Sequence, residues 1–156
     1  MDTSEEKLLR KLLVDAMNGH HAHIEFDAAV ADFPAKRRGS KLAGAPHTAW
    51  QLLEHLRIAQ HDILEFSRNP KYESPHWPEG YWPATEDPPD AHAWEKSVEA
   101  FQKDARELKA LVAKEDLFKR FEHGQGQTLL REALLVANHN SYHLGQLMYL
   151  KKALAG

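Results

Sequence analysis

Four long stretches of the chain repeat their apolar residues at helical spacing, and this pattern restricts the possible folds more than any other feature. They cover about 4–32, 49–68, 91–113 and 128–153. In the second stretch, Leu52, Leu56 and Ile63 follow one another at intervals of four and seven residues. No run rich in Val, Ile and Thr alternates in the way that a half-buried strand does. The pattern therefore predicts an all-α protein.

The connection between the second and third predicted helices, 67–90, is long and rich in proline. It holds six of the eight prolines and two of the four tryptophans, so we expect it to be stiff. Four helices with one long connection predict a four-helix bundle. With 156 residues and no internal repeat, we expect a single domain, 1–156. The aromatic side chains Trp77, Tyr81 and Trp82 either wall a substrate pocket or anchor the loop on the bundle, and the anchor is the favoured interpretation.

The composition excludes several classes of protein. The net charge is −3 and no long basic run is present, which argues against a nucleic-acid partner. The absence of cysteine excludes disulfides and thiolate ligands, so that any metal must be held by His, Asp or Glu. Neither a signal peptide nor a membrane-spanning apolar run is recognisable, and we expect a cytoplasmic protein with no membrane partner.

Two histidines stand four residues apart in the stretch NHNSYHLGQL of the fourth predicted helix. On a helix His139 and His143 lie about 40° apart, and Gln146 extends their line by one turn. Such a pair can hold two positions of a divalent metal. It can equally be two half-buried rings that are hydrogen-bonded to neighbours. Asn140 stands where a zinc protease needs its glutamate, so a metalloprotease is disfavoured, and Asn140 is better explained by a helix–helix contact.

Two ligands are rarely sufficient, and the second predicted helix offers a third. His55 lies at the inner flank of the apolar stripe of that helix, with Asp62 below it on the same face, whereas His61 is predicted to face solvent. Three histidines with an open position are typical of catalytic rather than structural metal sites.

Polar residues also fall within the apolar sector of the first predicted helix. They are His20, His23 and Asp27, and buried polar groups need partners. We expect His23 and Asp27 to pair with each other at a spacing of four. His20 is the leading candidate for proton transfer near a metal, with a buried hydrogen-bonded role as the alternative.

Three segments together resemble the DinB-like (DinB/YfiT) metal-binding proteins. These are HTAWQLLEHLRIAQHDILEF, PHWPEGYWP and LLREALLVANHNSYHLGQL. The resemblance implies a four-helix bundle with a long connection between the second and third helices. It also implies a metal held by His55, His139 and His143, the residues that helical phase selects.

Relatives with assigned activities resemble thiol-dependent transferases, in which a metal activates a low-molecular-weight thiol, and others are described as metal-dependent hydrolases. The resemblance therefore implies a small-molecule substrate, a thiol or water nucleophile and a homodimer. Zn²⁺ or Ni²⁺ is favoured as the ion, with Fe²⁺ and Mn²⁺ as alternatives. A non-catalytic metal-binding or ligand-sensing bundle and a metal-free interaction module remain open. With an ordinary His pKa near 6.5, we expect metal loss below about pH 6.

Overall fold

The computed structural model describes residues 3–19 and 22–155, and within them the regular structure is helical. The helices are α1 (Thr3–Asn18), α2 (Phe26–Val30), α3 (Ala49–Arg68), α4 (Ala93–Lys114) and α5 (Leu129–Ala155), with single 3₁₀ turns at Ala35–Arg37 and Glu79–Tyr81. No β-strand occurs in this part of the chain; a lone bridge joins Arg120 to Thr128. The prediction of an all-α bundle is confirmed.

The four long helices pack side by side, with α3 against α4 and α5, and α1 against α5 and α4. Two apolar clusters lie at opposite ends of this bundle. One contains Leu53, Leu56, Phe101, Leu144 and Leu147, and the other contains Leu64, Leu108, Val112, Ala133 and Val136. Burying one such leucine contributes about 1.5–3 kcal/mol, which makes these clusters the main source of stability. The residues between them along α3 and α5 include the buried polar side chains.

The prediction of one first helix over 4–32 is wrong. Helix α1 ends at Asn18, and Gly19 adopts φ +77°, a left-handed conformation that glycine accepts without strain and that terminates helices. A Cβ at Gly19 would lie 2.3 Å from Cε1 of His23. The chain turns there before the short helix α2, which packs on α5. His23 and Asp27 therefore do not share a helical face with α1.

The starts of α3 and α4 follow different local rules. Thr48 caps α3, and its side chain and that of Gln51 form the reciprocal capping box that the sequence spacing suggests. Helix α4 begins slightly later than predicted, at Ala93, with His92 at the cap position. Asp90 accepts the backbone N–H of His92 at 2.7 Å.

The connection from α3 to α4 is fastened to the bundle along its length. Tyr81 donates its hydroxyl to Asp62 at 2.8 Å, and the hydroxyl of Thr48 donates to the carbonyl of Glu86 at 2.7 Å. Trp82 is partly buried against the core, whereas Trp77 is 68% exposed. The anchoring interpretation thus holds for Tyr81 and Trp82 and is wrong for Trp77. Among the described residues, no helix combines the length and apolarity needed to cross a bilayer.

A buried amide bridge joins three helices between the two apolar clusters. Asn140 on α5 donates to Gln60 on α3 at 2.8 Å, and Gln60 donates to the carbonyl of Phe101 on α4 at 2.9 Å. Gln60 is 1% exposed, so its polar atoms have no access to bulk water. The expected role of Asn140 in a helix–helix contact is confirmed.

Replacing Gln60 with leucine is expected to destabilise the fold by about 1–3 kcal/mol, because the amide of Asn140 loses its buried acceptor. Urea unfolding followed by circular dichroism measures this loss. The matched control is Gln102→Leu at an exposed hydrogen bond to Asp27, where a change within about 0.5 kcal/mol is expected. Equal losses in the two variants would contradict the bridge.

Candidate metal centre

Helices α3 and α5 bring the three predicted histidines together inside the bundle. His55 and His143 are 3% and 8% exposed, and His139 is partly buried. The Nε2 atom of His55 lies 3.1 Å from Nε2 of His143 and 3.0 Å from Nε2 of His139. One ligand atom from each ring lies within 4.8 Å of the other two. The structure thus assembles the cluster that helical phase selects.

The outer nitrogens of two of these rings fix where the protons are. Nδ1 of His55 donates to the carbonyl of Tyr81 at 2.8 Å, and Nδ1 of His143 donates to Oε1 of Gln146 at 2.8 Å. A neutral imidazole has one N–H, so both Nε2 atoms are left unprotonated. These two lone pairs face each other at 3.1 Å and cannot hydrogen-bond to each other. His139 can donate a proton to only one of them.

The arrangement of these donors fits a cation. Two nitrogens about 2.1 Å from a common ion, at angles of about 90–110°, lie roughly 3.0–3.4 Å apart. The observed separations of 3.1 and 3.0 Å fall in that interval. Neutral imidazole nitrogen is a good ligand for Zn²⁺, Ni²⁺ and related ions, and the facing lone pairs need a positive charge between them.

Aromatic side chains cover one side of the cluster. The ring of Trp82 stacks on His55 at 4.0 Å between centroids, with 3° between the planes. His47, in the segment before α3, stacks on the same indole at 3.9 Å. The ring of Tyr142 meets His143 edge-on at 4.9 Å. These contacts hold the imidazoles in place and limit the access of water to them.

Burial makes the cluster electrically neutral in the absence of a metal. It lowers the pKa of His55 to about 4, against a smaller opposing effect of the hydrogen bond to Tyr81. Burial, followed by the proximity of His143 and His55, lowers the pKa of His139 to about 4. The pKa values of His143 and His47 are also lowered, chiefly by burial.

These lowered pKa values change the expected pH of metal release. A lowered pKa keeps a ring neutral, and able to bind, until the pH falls through the lowered value. We therefore expect half of the bound metal to be released at about pH 5, which is below the ordinary His pKa near 6.5. Metal content after dialysis across this range measures it. Half-release at or above pH 6 would contradict the neutral, buried cluster.

Other sequence predictions have mixed outcomes. His61 is about half exposed, as expected from its phase, but its Nδ1 also pairs with Asp104 at 2.9 Å. Asp62 lies on the His55 side of α3 and accepts the hydroxyl of Tyr81. Tyr81 therefore supports the site through two contacts: its hydroxyl fixes the residue to Asp62, and its carbonyl oxygen accepts the Nδ1–H of His55.

The predicted pairing of His23 with Asp27 is wrong. Nε2 of His23 lies 2.7 Å from the hydroxyl of Ser141 on α5, and Asp27 is exposed and accepts from Gln102. The break after α1 is the reason, because the two residues are not on one continuous helix. His20, the candidate for proton transfer, lies outside the described residues.

Two contributors to the site were missed by the sequence reasoning. They are His47, which stacks on Trp82, and Trp82 itself, which stacks on His55. Both positions depend on how irregular segments fold onto the bundle, which helical periodicity does not encode. The signal for His47 was its place next to the N-cap residue Thr48, because the start of α3 is fixed by the capping box.

The fold and the histidine cluster define an all-α bundle protein with a candidate metal centre between α3 and α5. A family model described as the DinB superfamily matches residues 6–147. The chain belongs to this superfamily, a family of metal-binding proteins, and the predicted resemblance is confirmed. No curated protein and no solved structure matches the chain significantly.

Proposed function

We propose that His55, His139 and His143 hold a divalent metal ion, and that the protein uses this centre to activate a thiol or water nucleophile. The observation that supports the proposal is the approach of the Nε2 atoms of His55 and His143 to 3.1 Å, while the Nδ1 atom of each ring lies 2.8 Å from an oxygen acceptor. Three neutral nitrogen donors favour Zn²⁺ or Ni²⁺, with Fe²⁺ and Mn²⁺ as alternatives. Membership of a metal-binding family adds to the proposal.

Each surrounding side chain has a part in this function. When bound, the ion supplies a positive charge that lowers the pKa of a thiol or water beside it. The carbonyl of Tyr81 and the amide oxygen of Gln146 orient His55 and His143 by holding their Nδ1–H groups. Trp82 and Tyr142 shield the rings from bulk water, which strengthens the electrostatic interactions inside the site.

The reaction class is transfer of a group to a thiol, or hydrolysis when water takes the thiol's place. The sulfur forms a bond to an electrophilic carbon, the bond from that carbon to its leaving group breaks, and the leaving group departs with the electron pair. The proton released from the thiol passes to a base, and His20 is the candidate for that role. His20→Ala, with metal content unchanged, should lower turnover; unchanged turnover would remove His20 from the mechanism.

Cobalt substitution tests the proposal directly. The Co²⁺-loaded protein is titrated with a low-molecular-weight thiol such as bacillithiol or mycothiol, and the near-ultraviolet spectrum is followed. A new sulfur-to-cobalt absorption band is expected, together with consumption of thiol when 1-chloro-2,4-dinitrobenzene is added as the electrophile. Both signals should vanish in the His139→Ala/His143→Ala variant. A loaded protein with neither signal, and with no ester hydrolysis, would contradict the enzymatic function.

A non-catalytic metal-binding or ligand-sensing role is the second candidate. It is favoured by the depth of the centre, since His55 is 3% exposed and lies under the indole of Trp82. Such a protein would bind the metal stoichiometrically and change conformation without turnover. The cobalt experiment separates the two roles. The homodimer implied by the resemblance remains a prediction, which sedimentation analysis of the purified protein tests.

A further inference from the structure

A cavity of about 500 Å³ adjoins the histidine cluster through Gln146, which lines the cavity and accepts the Nδ1–H of His143. Its walls are the segment 42–47 before α3, Leu52 of α3 and one face of α5. That face presents Tyr142, Gly145, Gln146 and Tyr149, which follow one another at intervals of three, one and three residues and so lie on adjacent helical turns. The volume is within the range of roughly 300–1,000 Å³ that small-molecule sites occupy.

Gly145 widens this cavity at a position where a helix normally favours a side chain. Glycine inside a helix is less stable than alanine, because it loses more conformational freedom on folding. A Cβ placed on Gly145 meets no atom within 4 Å. Its φ is also outside the left-handed range, so neither packing nor backbone geometry within the described chain requires glycine here. The missing side chain leaves room between Tyr142 and Tyr149.

The polar groups of the cavity define what it can accept. Oε1 of Gln146 is occupied by the Nδ1–H of His143, whereas no acceptor in the described part of the chain bonds to the Nε2 amide of Gln146. The cavity lining contains no Asp, Glu, Lys or Arg, and its one imidazole, that of His47, is stacked on Trp82. A charged ligand would therefore lose hydration there without gaining a carboxylate, ammonium or guanidinium partner. A neutral ligand with one acceptor would satisfy the free amide of Gln146.

We propose that this cavity binds a small neutral carbonyl compound, with its hydrocarbon part between Tyr142 and Tyr149 and its carbonyl oxygen at the amide of Gln146. The bound carbonyl then lies on the Nδ1 side of His143, on the other side of the ring from the Nε2 atom that faces His55. The inference therefore goes beyond the proposed function, because a ligand there would act on the centre through Gln146 and the orientation of His143. The binding itself does not need the metal.

Three naphthalenes of similar size test the proposal: 2-acetylnaphthalene, 2-ethylnaphthalene and 2-naphthoate. Their dissociation constants are measured by ligand-observed NMR on the metal-free and Zn²⁺-loaded protein, and metal content is measured on the same samples. The ketone is expected to bind about 2- to 10-fold more tightly than the ethyl compound, which lacks the acceptor. The anion is expected to bind at least about 10-fold more weakly than the ketone.

Two substitutions locate the binding. Gly145→Leu fills the cavity and should raise the dissociation constant of the ketone at least about 10-fold. In the control Gly145→Ala, that constant should stay within about 3-fold of the wild-type value. Gln146→Met should remove the preference for the ketone over the ethyl compound while leaving binding of the latter in place. Circular dichroism confirms that each variant is folded.

The proposal is overturned by equal binding of the three compounds, by no binding to folded protein, or by full binding in Gly145→Leu. It is also overturned if wild type is a dimer that binds none of them and Gly145→Leu converts it to a monomer, because a second copy would then cover this face. Metal content in the same samples separates these results from failure of the metal centre. If the protein binds metal but none of the naphthalenes, the proposed ligand site is wrong and the metal centre is not. If it binds the ketone but no metal, the metal centre is wrong and the ligand site is not.

Discussion

Saturation with Zn²⁺ or Ni²⁺ is expected to raise the free energy of unfolding by about 4 kcal/mol when the free ion is a thousandfold above its dissociation constant. The reason is that the three imidazoles converge only in the folded chain, where Nε2 of His55 lies 3.0 and 3.1 Å from the other two. In the unfolded chain the same residues are 84 and 88 positions apart. Urea unfolding with added ion and with a chelator measures the difference.

Magnesium provides the control for this result, because it prefers oxygen ligands and should leave the unfolding curve unchanged. His55→Ala provides a second control and should abolish the increase caused by Zn²⁺. A stabilisation below about 0.5 kcal/mol in wild type, at an ion concentration that saturates any site, would contradict the assembled centre.

Removal of the histidines is expected to eliminate bound metal. Loss of a residue that merely orients a metal ligand commonly weakens affinity 10- to 100-fold, so we expect His55→Ala to weaken it by at least about 100-fold. The His139→Ala/His143→Ala variant should bind no ion at all. The metal content measured by elemental analysis after dialysis should therefore be near one ion per chain in wild type and near zero in both variants.

His76→Ala is the matched control for these substitutions. His76 is exposed, and its only assigned partner among the described side chains is Glu79. The metal content of the His76→Ala variant should equal that of wild type. A wild type that keeps no ion after reloading, or a His55→Ala variant that keeps its full content, would contradict the assignment of the ligands.

The long helices were predictable because each carries many apolar residues in one phase. Phase also selected His55, His139 and His143, since an i, i+4 pair shares a face whatever the rest of the fold does. The structure brings these residues together, with Nε2 of His55 at 3.1 and 3.0 Å from Nε2 of His143 and His139. The prediction succeeded where the geometry of a single helix determines the direction of a side chain.

The errors fall where a single helix does not determine the structure. The break after Asn18 was overlooked although Asn followed by Gly is a turn signal, because the apolar spacing continued beyond it. His23 consequently received the wrong partner. The stacking of Trp82 on His55 and the cavity at Gly145 arise from contacts between distant segments, which no local pattern encodes.

The most direct measurement is anomalous X-ray diffraction from crystals of the protein loaded with Zn²⁺ or Ni²⁺, recorded at the absorption edge of the metal. One strong peak per chain is expected, about 2.1 Å from Nε2 of His55, His139 and His143. The Nδ1–H groups of His55 and His143 should still be held by Tyr81 and Gln146. No peak at this position, or a peak bound only by surface carboxylates or by exposed histidines, would contradict the proposed metal centre.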